Sequence, residues 1–354
     1  MQKITLKQQT DMIHFQANEY SILRMSEIKP RLTKFIKDEL KNIDNNLYTK
    51  YKHIIENKEI FTQKGCGFFK LRTNLKKVEI SEYGTYPKNN NKIGSYFARA
   101  KAVNFDEIEI EVFSLIKDLE ELVAKSMKYF FILYNIGQRQ TKGFGGFILK
   151  DTTQDEFEKI LKQKYQTIYK KTSNNPLKMI HEDYQLLKSG RNNPYKKSLL
   201  FEYFCNKHIR WEKRKIKQEL SRNYKLKSSH RAIDGSRDNY NYKYIRAMLG
   251  VAGSFSFLLE EKNEKKQNKR LSLNVAHKYK NKKEKIERFN SPILFKVFDN
   301  TIYALPNKIP QEIFNQRFEF KVKGNTLTTL STPSNFDLID FFNYGFKKLN
   351  WSRL

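Results

Sequence analysis

Apolar and polar residues alternate singly at Ile4-Thr5-Leu6, which predicts a half-buried strand near the start of the chain. From Ser26 the apolar residues Ile28, Leu32, Phe35, Ile36 and Leu40 recur at three- and four-residue spacing and predict a helix, with Pro30 accommodated near its first turn. The other face of that helix is basic, with Lys29, Arg31, Lys34 and Lys37. Alternation returns at Phe68-Phe69-Lys70-Leu71-Arg72 and at Ile108-Glu109-Ile110-Glu111-Val112, predicting two strands separated by a polar turn region over 86–91. From Ser114 a helical stripe runs through Leu115, Leu119, Leu122, Val123 and Met127. Residues 129–136 fit either its continuation through Phe130, Phe131, Leu133 and Tyr134, or a strand. Glycines at 137, 143, 145 and 146 break the pattern, and 144–149 reads as a returning strand. The sum is β-α-β-β-α-β, the ferredoxin-like split unit also used by RNA-recognition modules.

Thr153 and Glu156 form a capping box for a helix running toward Tyr169. Residues 171–193, rich in Ser, Asn, Pro and Lys, mark a soft boundary. Pro194 opens a helical stretch through Leu199, Leu200, Tyr203, Phe204 and Trp211, which turns into the basic run Lys213-Arg214-Lys215-Ile216-Lys217. Apolar strands follow over 293–297, 301–305 and 318–322, and a last helix over 334–347. No exact internal repeat occurs. The expected class is α+β with two ferredoxin-like (RRM-like) units. Residues 1–175 form the first and carry the glycine-rich loop; residues 176–354 form a second α+β unit with a basic insertion over 205–290.

Charge sharpens this picture. The 354 residues hold 68 Lys or Arg against 38 Asp or Glu, a net charge of +30. Self-repulsion of that size is most easily tolerated beside a polyanion, which makes nucleic acid the leading partner. Residues 205–290 alone carry 24 Lys or Arg and nine Asp or Glu, so half of the excess is focused there. A hydrophobic fraction of 39 % and an aromatic fraction of 14 % supply a core and exclude a disordered polycation of the histone-tail kind. No apolar run of membrane-spanning length occurs, and the N-terminus lacks a signal-peptide core, so a soluble cytoplasmic protein without a membrane partner is expected. Cys66 and Cys205 make no CxxC or Cys/His cluster, which argues against disulfide scaffolds and zinc fingers. No cofactor or metal is expected.

The most informative motif is Gly137-Gln138-Arg139-Gln140-Thr141-Lys142-Gly143-Phe144-Gly145-Gly146-Phe147. Its glycines can bring main-chain N–H groups to a phosphate, Arg139 and Lys142 supply charge, and Phe144 or Phe147 offers a stacking ring. It is neither a P-loop nor a dinucleotide fingerprint, which removes support for nucleotide hydrolysis. The competing reading is a helix-to-strand turn whose glycines only satisfy backbone geometry. Residues 228–253 either order on RNA or on a neighbouring subunit or form a solvated loop, and the lysine run 278–285 is either a phosphate track or an exposed face. The histidines at 14, 53, 181, 208, 230 and 277 show no metal spacing. His14, just after the first predicted strand and before Arg24, is the one kept as a candidate general acid or base on a 2′-hydroxyl.

An apolar helix, a glycine-rich loop with interleaved Arg or Lys and a short strand at the end of a β-α-β-β-α-β unit resemble the RAMP (repeat-associated mysterious protein) superfamily of CRISPR effector subunits. Gly137, Arg139, Lys142, Gly143, Phe144 and Gly145 match its glycine-rich loop. The run Leu23-Arg24-Met25-Ser26-Glu27-Ile28-Lys29-Pro30-Arg31-Leu32 is similar to the segment opening the first helix in Cmr-type subunits, although members usually carry Arg-Gly where this chain has Lys29-Pro30. The run Arg288-Phe289-Asn290-Ser291-Pro292-Ile293-Leu294-Phe295-Lys296-Val297 is similar to the Ser-Pro-containing strand of their second unit.

The resemblance implies a subunit of a type III CRISPR ribonucleoprotein, holding guide RNA and positioning complementary target RNA beside other RAMP effector subunits in antiviral defence. Spacer-independent grip calls for phosphate pairing, backbone donors and stacking. The candidate RNA-binding residues are Arg24, Lys29 and Arg31 at the helix start, Gly137, Arg139, Lys142, Gly143, Phe144 and Gly145 in the loop, and Lys213, Arg214 and Lys215 in the insertion. Two alternatives stay open. One is a RAMP-type, metal-independent endoribonuclease that processes guide RNA with His14 or His230; the other is a basic architectural nucleic-acid-binding protein. The resemblance also implies that a backbone-type subunit can cut target RNA with a loop aspartate, for which Asp106, Asp234 and Asp238 are the loop candidates.

Overall fold

The computed structural model describes residues 1–14, 23–61, 67–75, 78–82, 101–105, 108–192, 194–227, 241–264, 267–279, 286 and 289–354. They divide into two compact units: residues 1–181 with 294–305 and 351–354, and residues 182–293 with 306–350. The architecture is mixed α/β and rests largely on antiparallel sheets, in keeping with an α+β class.

In the first unit the alternating strand β1 (Gln2–Gln8) is internal to a sheet, and its Leu6 faces both Ile108 and Leu149. The sheet runs β3 (Lys70–Leu75), β6 (Ile108–Phe113), β1, β7 (Phe147–Leu149), every neighbour antiparallel. In chain order this is 2-3-1-4, with helix α1 (Met25–Asp38) after the first strand and α5 (Lys117–Leu133) after the third. Both helices are amphipathic and lay their apolar stripes on the sheet. Ile28, Leu32, Phe35 and Ile36 of α1 are buried together with Leu119, Leu122, Val123, Met127 and Phe130 of α5. Met12–Ile13 (β2), Val78–Glu82 (β4) and Lys101–Phe105 (β5) form a separate three-stranded sheet in the order β2-β5-β4.

Several sequence expectations shift here. Pro30 is the sixth residue of α1, past the first turn, so the helix forgoes one internal hydrogen bond there. Leu115 precedes α5 and is 93 % exposed, off the buried stripe. The ambiguous stretch 129–136 continues α5 to Leu133 and then extends. Three short helices, α2 (Leu40–Ile43), α3 (Asn45–Lys50) and α4 (Lys52–Ile55), follow α1 without having been foreseen. Thr153 does cap α6 (Gln154–Lys164), its Oγ1 accepting from the Glu156 amide at 3.3 Å. That helix stops at Lys164, however, because Tyr169 opens strand β8 (Tyr169–Thr172).

β8 lies between β16 (Thr301–Pro306) and β19 (Ser352–Arg353), with β15 (Ile293–Phe298) beyond β16. Strands expected in a second unit thus complete the first, and a cut at 175/176 does not describe the units. The soft boundary over 171–193 is mostly helix: α7 (Pro176–Lys188) starts on a proline at the position where a missing N–H costs least, with the Asn175 side chain accepting from the Lys178 amide.

The second unit holds the short hairpin β9 (Arg191–Asn192) and β10 (Tyr195–Lys196). The helical run expected from Pro194 breaks into α8 (Leu199–Cys205), the short strand β11 (Ile209–Trp211) and α9 (Glu212–Ser221), because His208 turns the chain at φ +58°. β11 pairs in parallel with β12 (Asn241–Lys243). The main sheet runs β13 (Ser254–Lys262), β14 (Asn268–His277), β17 (Arg317–Val322), β18 (Asn325–Ser331), all antiparallel. Its strands lie in chain order, with β15 and β16 passing to another sheet between β14 and β17, and this order is not that of a second β-α-β-β-α-β unit. Buried Tyr244 meets Phe318 and Phe320 edge-on, each at 5.3 Å. Helix α10 (Leu338–Lys348) packs Phe341 against Tyr203 of α8. Among the described residues no helix is long and apolar enough to cross a membrane.

Candidate nucleic-acid interface

The glycine-rich loop follows α5, and its backbone is tied down at almost every glycine. Gly145 sits at φ +71°, where an added Cβ would lie 1.8 Å from the Ile136 carbonyl oxygen. Its amide donates to Asp11 O at 2.9 Å, and its carbonyl accepts from Ile136 N at 2.9 Å. Gly143, at φ +82°, caps a turn of 3-10 helix over Gln140–Lys142 and accepts from Thr10 Oγ1 at 2.6 Å. The same Thr10 hydroxyl accepts from the Gly146 amide at 2.9 Å. The Gly137 amide donates to Glu27 Oε1 and the Gln138 amide to Ile13 O. The expectation of a backbone cradle for phosphate is therefore corrected at these amides: they are spent inside the protein. Phe144 and Phe147 are buried, so neither offers a stacking ring.

The helix start and the loop meet at Glu27. Its carboxylate takes the Arg31 guanidinium at 3.0 Å, the Gly137 amide at 3.1 Å and the His14 ring at 3.3 Å. Arg31, foreseen on the outer basic face, is turned inward: it also donates to Asn135 O at 3.1 Å and to Gln140 Oε1 at 3.2 Å, and lies over the Phe130 and Tyr134 rings. Burial pushes the His14 pKa down and the nearby Arg24 charge adds to this, with Glu27 acting the other way. Both lowering effects favour the neutral ring. Arg24 is exposed at the N-cap of α1, Lys29 rests over the Phe69 ring at 5.0 Å, and Arg139 and Lys142 are half-buried, not on an exposed loop.

Beneath the loop lies Lys296, the one charge in the all-buried strand β15. Its amine donates to Phe131 O at 2.9 Å, Tyr134 O at 3.0 Å and Asn135 Oδ1 at 2.8 Å. Asn135 in turn donates to Gln140 O at 2.7 Å and Phe295 O at 2.9 Å. Three acceptors match the three donors of an ammonium, at the carbonyl end of α5 where positive charge is favoured. Burial, with the Arg31 charge, nevertheless lowers its pKa to about 7. Neither Glu27 nor Lys296 was singled out from the sequence; a lone lysine inside Ile293-Leu294-Phe295-Lys296-Val297-Phe298 was the available signal.

The basic run of the second unit also differs from an open phosphate track. Glu212 is fully buried, pairs with Arg246 and accepts from the Ile245 amide at 3.1 Å. Lys213 lies over the Trp211 ring at 5.3 Å; burial first, then the Arg246 and Lys217 charges, lower its pKa to about 8. Lys215 pairs with Glu219 at 2.7 Å, and Arg214 is half-buried. Asp106, Asp234, Asp238, His230, Cys66 and most of the 278–285 lysine run lie outside the described residues. Among the described residues no cluster of His, Cys, Asp or Glu is placed to hold a metal ion.

Comparison with known proteins gives two matches in tandem: the Cmr1 N-terminal domain over residues 1–191 and the Cmr1 C-terminal domain over residues 195–353. No curated protein matches the chain. Among solved structures the apo crystal structure of Cmr1 from Pyrococcus furiosus is similar, with 10 % identity, 99 % of this chain and 97 % of that chain covered, and a TM-score of 0.36.

Proposed function

The chain belongs to the Cmr1 family, and on that premise we propose that it is a subunit of a type III CRISPR effector complex that grips guide RNA and helps to position complementary target RNA. The observation that carries this reading is the tandem match, which runs almost end to end. The +30 charge supports it, since a guide and its target are polyanions. So does the strand order of the first unit, 2-3-1-4 with two helices on the sheet, which supports reading it as a ferredoxin-like unit.

In this reading the loop does not cradle phosphate with its amides. Glu27, Arg31, Asn135 and Lys296 hold it in place, so that the side chains of Arg24, Lys29 and Arg139 meet the backbone of a strand in a fixed geometry, while the Lys142 amine is buried and serves the loop itself. His14 beside Glu27 is the feature that keeps an endoribonuclease reading alive. Intact RNA after prolonged incubation with the protein alone would remove it.

The test is fluorescence anisotropy with labelled single-stranded RNA over a salt series. Affinity should fall log-linearly with salt, with a slope of about −0.7 per phosphate neutralised. Arg24→Ala, at an exposed position, and Arg139→Ala should each weaken binding and make the slope shallower by about 0.7 for every phosphate left unpaired. Unchanged affinity and slope in both variants would remove the helix start and the loop from the interface.

A further inference from the structure

A cavity of about 530 Å³ opens in the second unit at the end of the β14–β17 strand pair. Register sets its two walls. His277 lies opposite Phe318, and Ala276 opposite Glu319, so His277 and Phe318 share one face of the sheet while Lys278, Glu319 and Lys321 fall on the other by two-residue alternation. The cavity wraps the strand ends and is lined by both groups.

The first wall is aromatic and stiff. The His277 Nδ1 accepts from the Ile286 amide at 3.1 Å, so Nε2 carries the proton and donates to Gln316 Oε1 at 3.1 Å. Gln316 is itself fixed, its amide group donating to Phe314 O and its backbone N–H to Thr332 Oγ1. With both ring nitrogens used, His277 lies against buried Phe318, centroids 5.1 Å apart, and itself backs the ring of Tyr279 at 6.1 Å. Tyr279 is 37 % exposed, one of seven large hydrophobic side chains left open to solvent among the described residues. The second wall is charged. Glu319 draws Lys321 to 2.9 Å and Lys278 to 3.6 Å, and these cations hold its carboxyl below the usual range. Two cations around one carboxylate leave a net positive wall.

We propose that this cavity holds one nucleotide of single-stranded RNA, its base stacked on Tyr279 and its phosphate on Lys278 and Lys321. A nucleotide separates a flat π-face from an anionic group in the way these two walls separate an aromatic ring from a lysine pair. Stacking on an aromatic platform is indifferent to base identity, which suits a strand held regardless of sequence. The inference rests on the RNA-binding reading above and adds a second, distinct point of grip.

The experiment is binding of a labelled oligouridylate carrying 4-thiouridine, with photocrosslinking and peptide mapping. Tyr279→Ala should weaken binding by about five- to a hundredfold, the range for losing one stacked base, while Tyr279→Phe retains it. Lys321→Gln should flatten the salt slope, and Glu319→Gln should tighten binding because it releases both lysines, an effect that a merely structural role would not produce. The crosslink should map to the peptide containing Tyr279. Wild-type affinity in Tyr279→Ala and Lys321→Gln, with crosslinks elsewhere, would overturn the pocket and leave the RNA-binding reading standing. Absence of RNA binding by the wild-type protein would instead overturn that reading. Full displacement of the RNA by uridine monophosphate at equal nucleotide concentration would show that the site takes free nucleotide, which also overturns the proposal.

Discussion

Lys296 shows how a single buried residue can organise a surface it never reaches. Its amine satisfies two carbonyls at the end of α5 and the Asn135 side chain, and Asn135 fastens the loop that follows. Lys296→Met would leave these acceptors unpaired, at a cost of about 3 kcal/mol or more in urea unfolding. The residue also sets a pH dependence. Its folded pKa, about 7, lies below the ordinary 10.5, so between those values the unfolded chain binds more protons than the folded one. Stability should therefore be lowest below pH 7 and rise toward pH 10.5, by at most about 1.4 kcal/mol per pH unit from this group. Lys188, whose buried amine donates to Leu249 O and Gly250 O and is likewise pulled down to about 7, adds the same trend. Unfolding measured at pH 7 and pH 9 should thus show a reduced but nonzero rise in Lys296→Met. An undiminished rise would mean that Lys296 stays charged throughout the range, held by its three acceptors.

At the scale of elements, the glycine loop behaves as a strained, over-determined turn. Gly145→Val would combine a left-handed backbone with a Cβ driven into the Ile136 carbonyl, costing at least about 2 kcal/mol. Gly324→Ala is the control: φ is +87° but nothing lies within 4 Å, so only the backbone cost of about 1 kcal/mol applies. Equal destabilisation of the two, by denaturant melts, would show that packing around Gly145 is looser than the 1.8 Å approach requires. Much of this was legible in the sequence: alternation located β1, β3 and β6, helical spacing located α1 and α5, and Thr153 marked its cap. What the loop does was not legible. Whether a glycine-loop amide faces a phosphate or Asp11 O depends on segments more than a hundred residues apart, and local spacing carries no trace of that pairing. The same limit misplaced Arg31, whose i, i+4 partner Glu27 was visible but whose bonds to Asn135 and Gln140 were not.

For the whole molecule, charge was the easiest signal to read and topology the hardest. The +30 balance needs only counting, whereas the return of β15, β16 and β19 to the first unit depends on long-range strand pairing that apolar runs alone do not encode. The main sheet of the second unit, whose strands lie side by side in chain order, is indistinguishable in its alternation from strands joined by crossover helices. The central claim, an RNA-gripping subunit of a type III CRISPR complex, is tested most directly by purifying the tagged chain from cells that express its complete CRISPR locus, then sequencing the bound RNA and identifying the bound proteins. Short repeat-derived RNA together with several other effector subunits is the predicted result. A protein recovered alone, with heterogeneous nucleic acid or none, would contradict it.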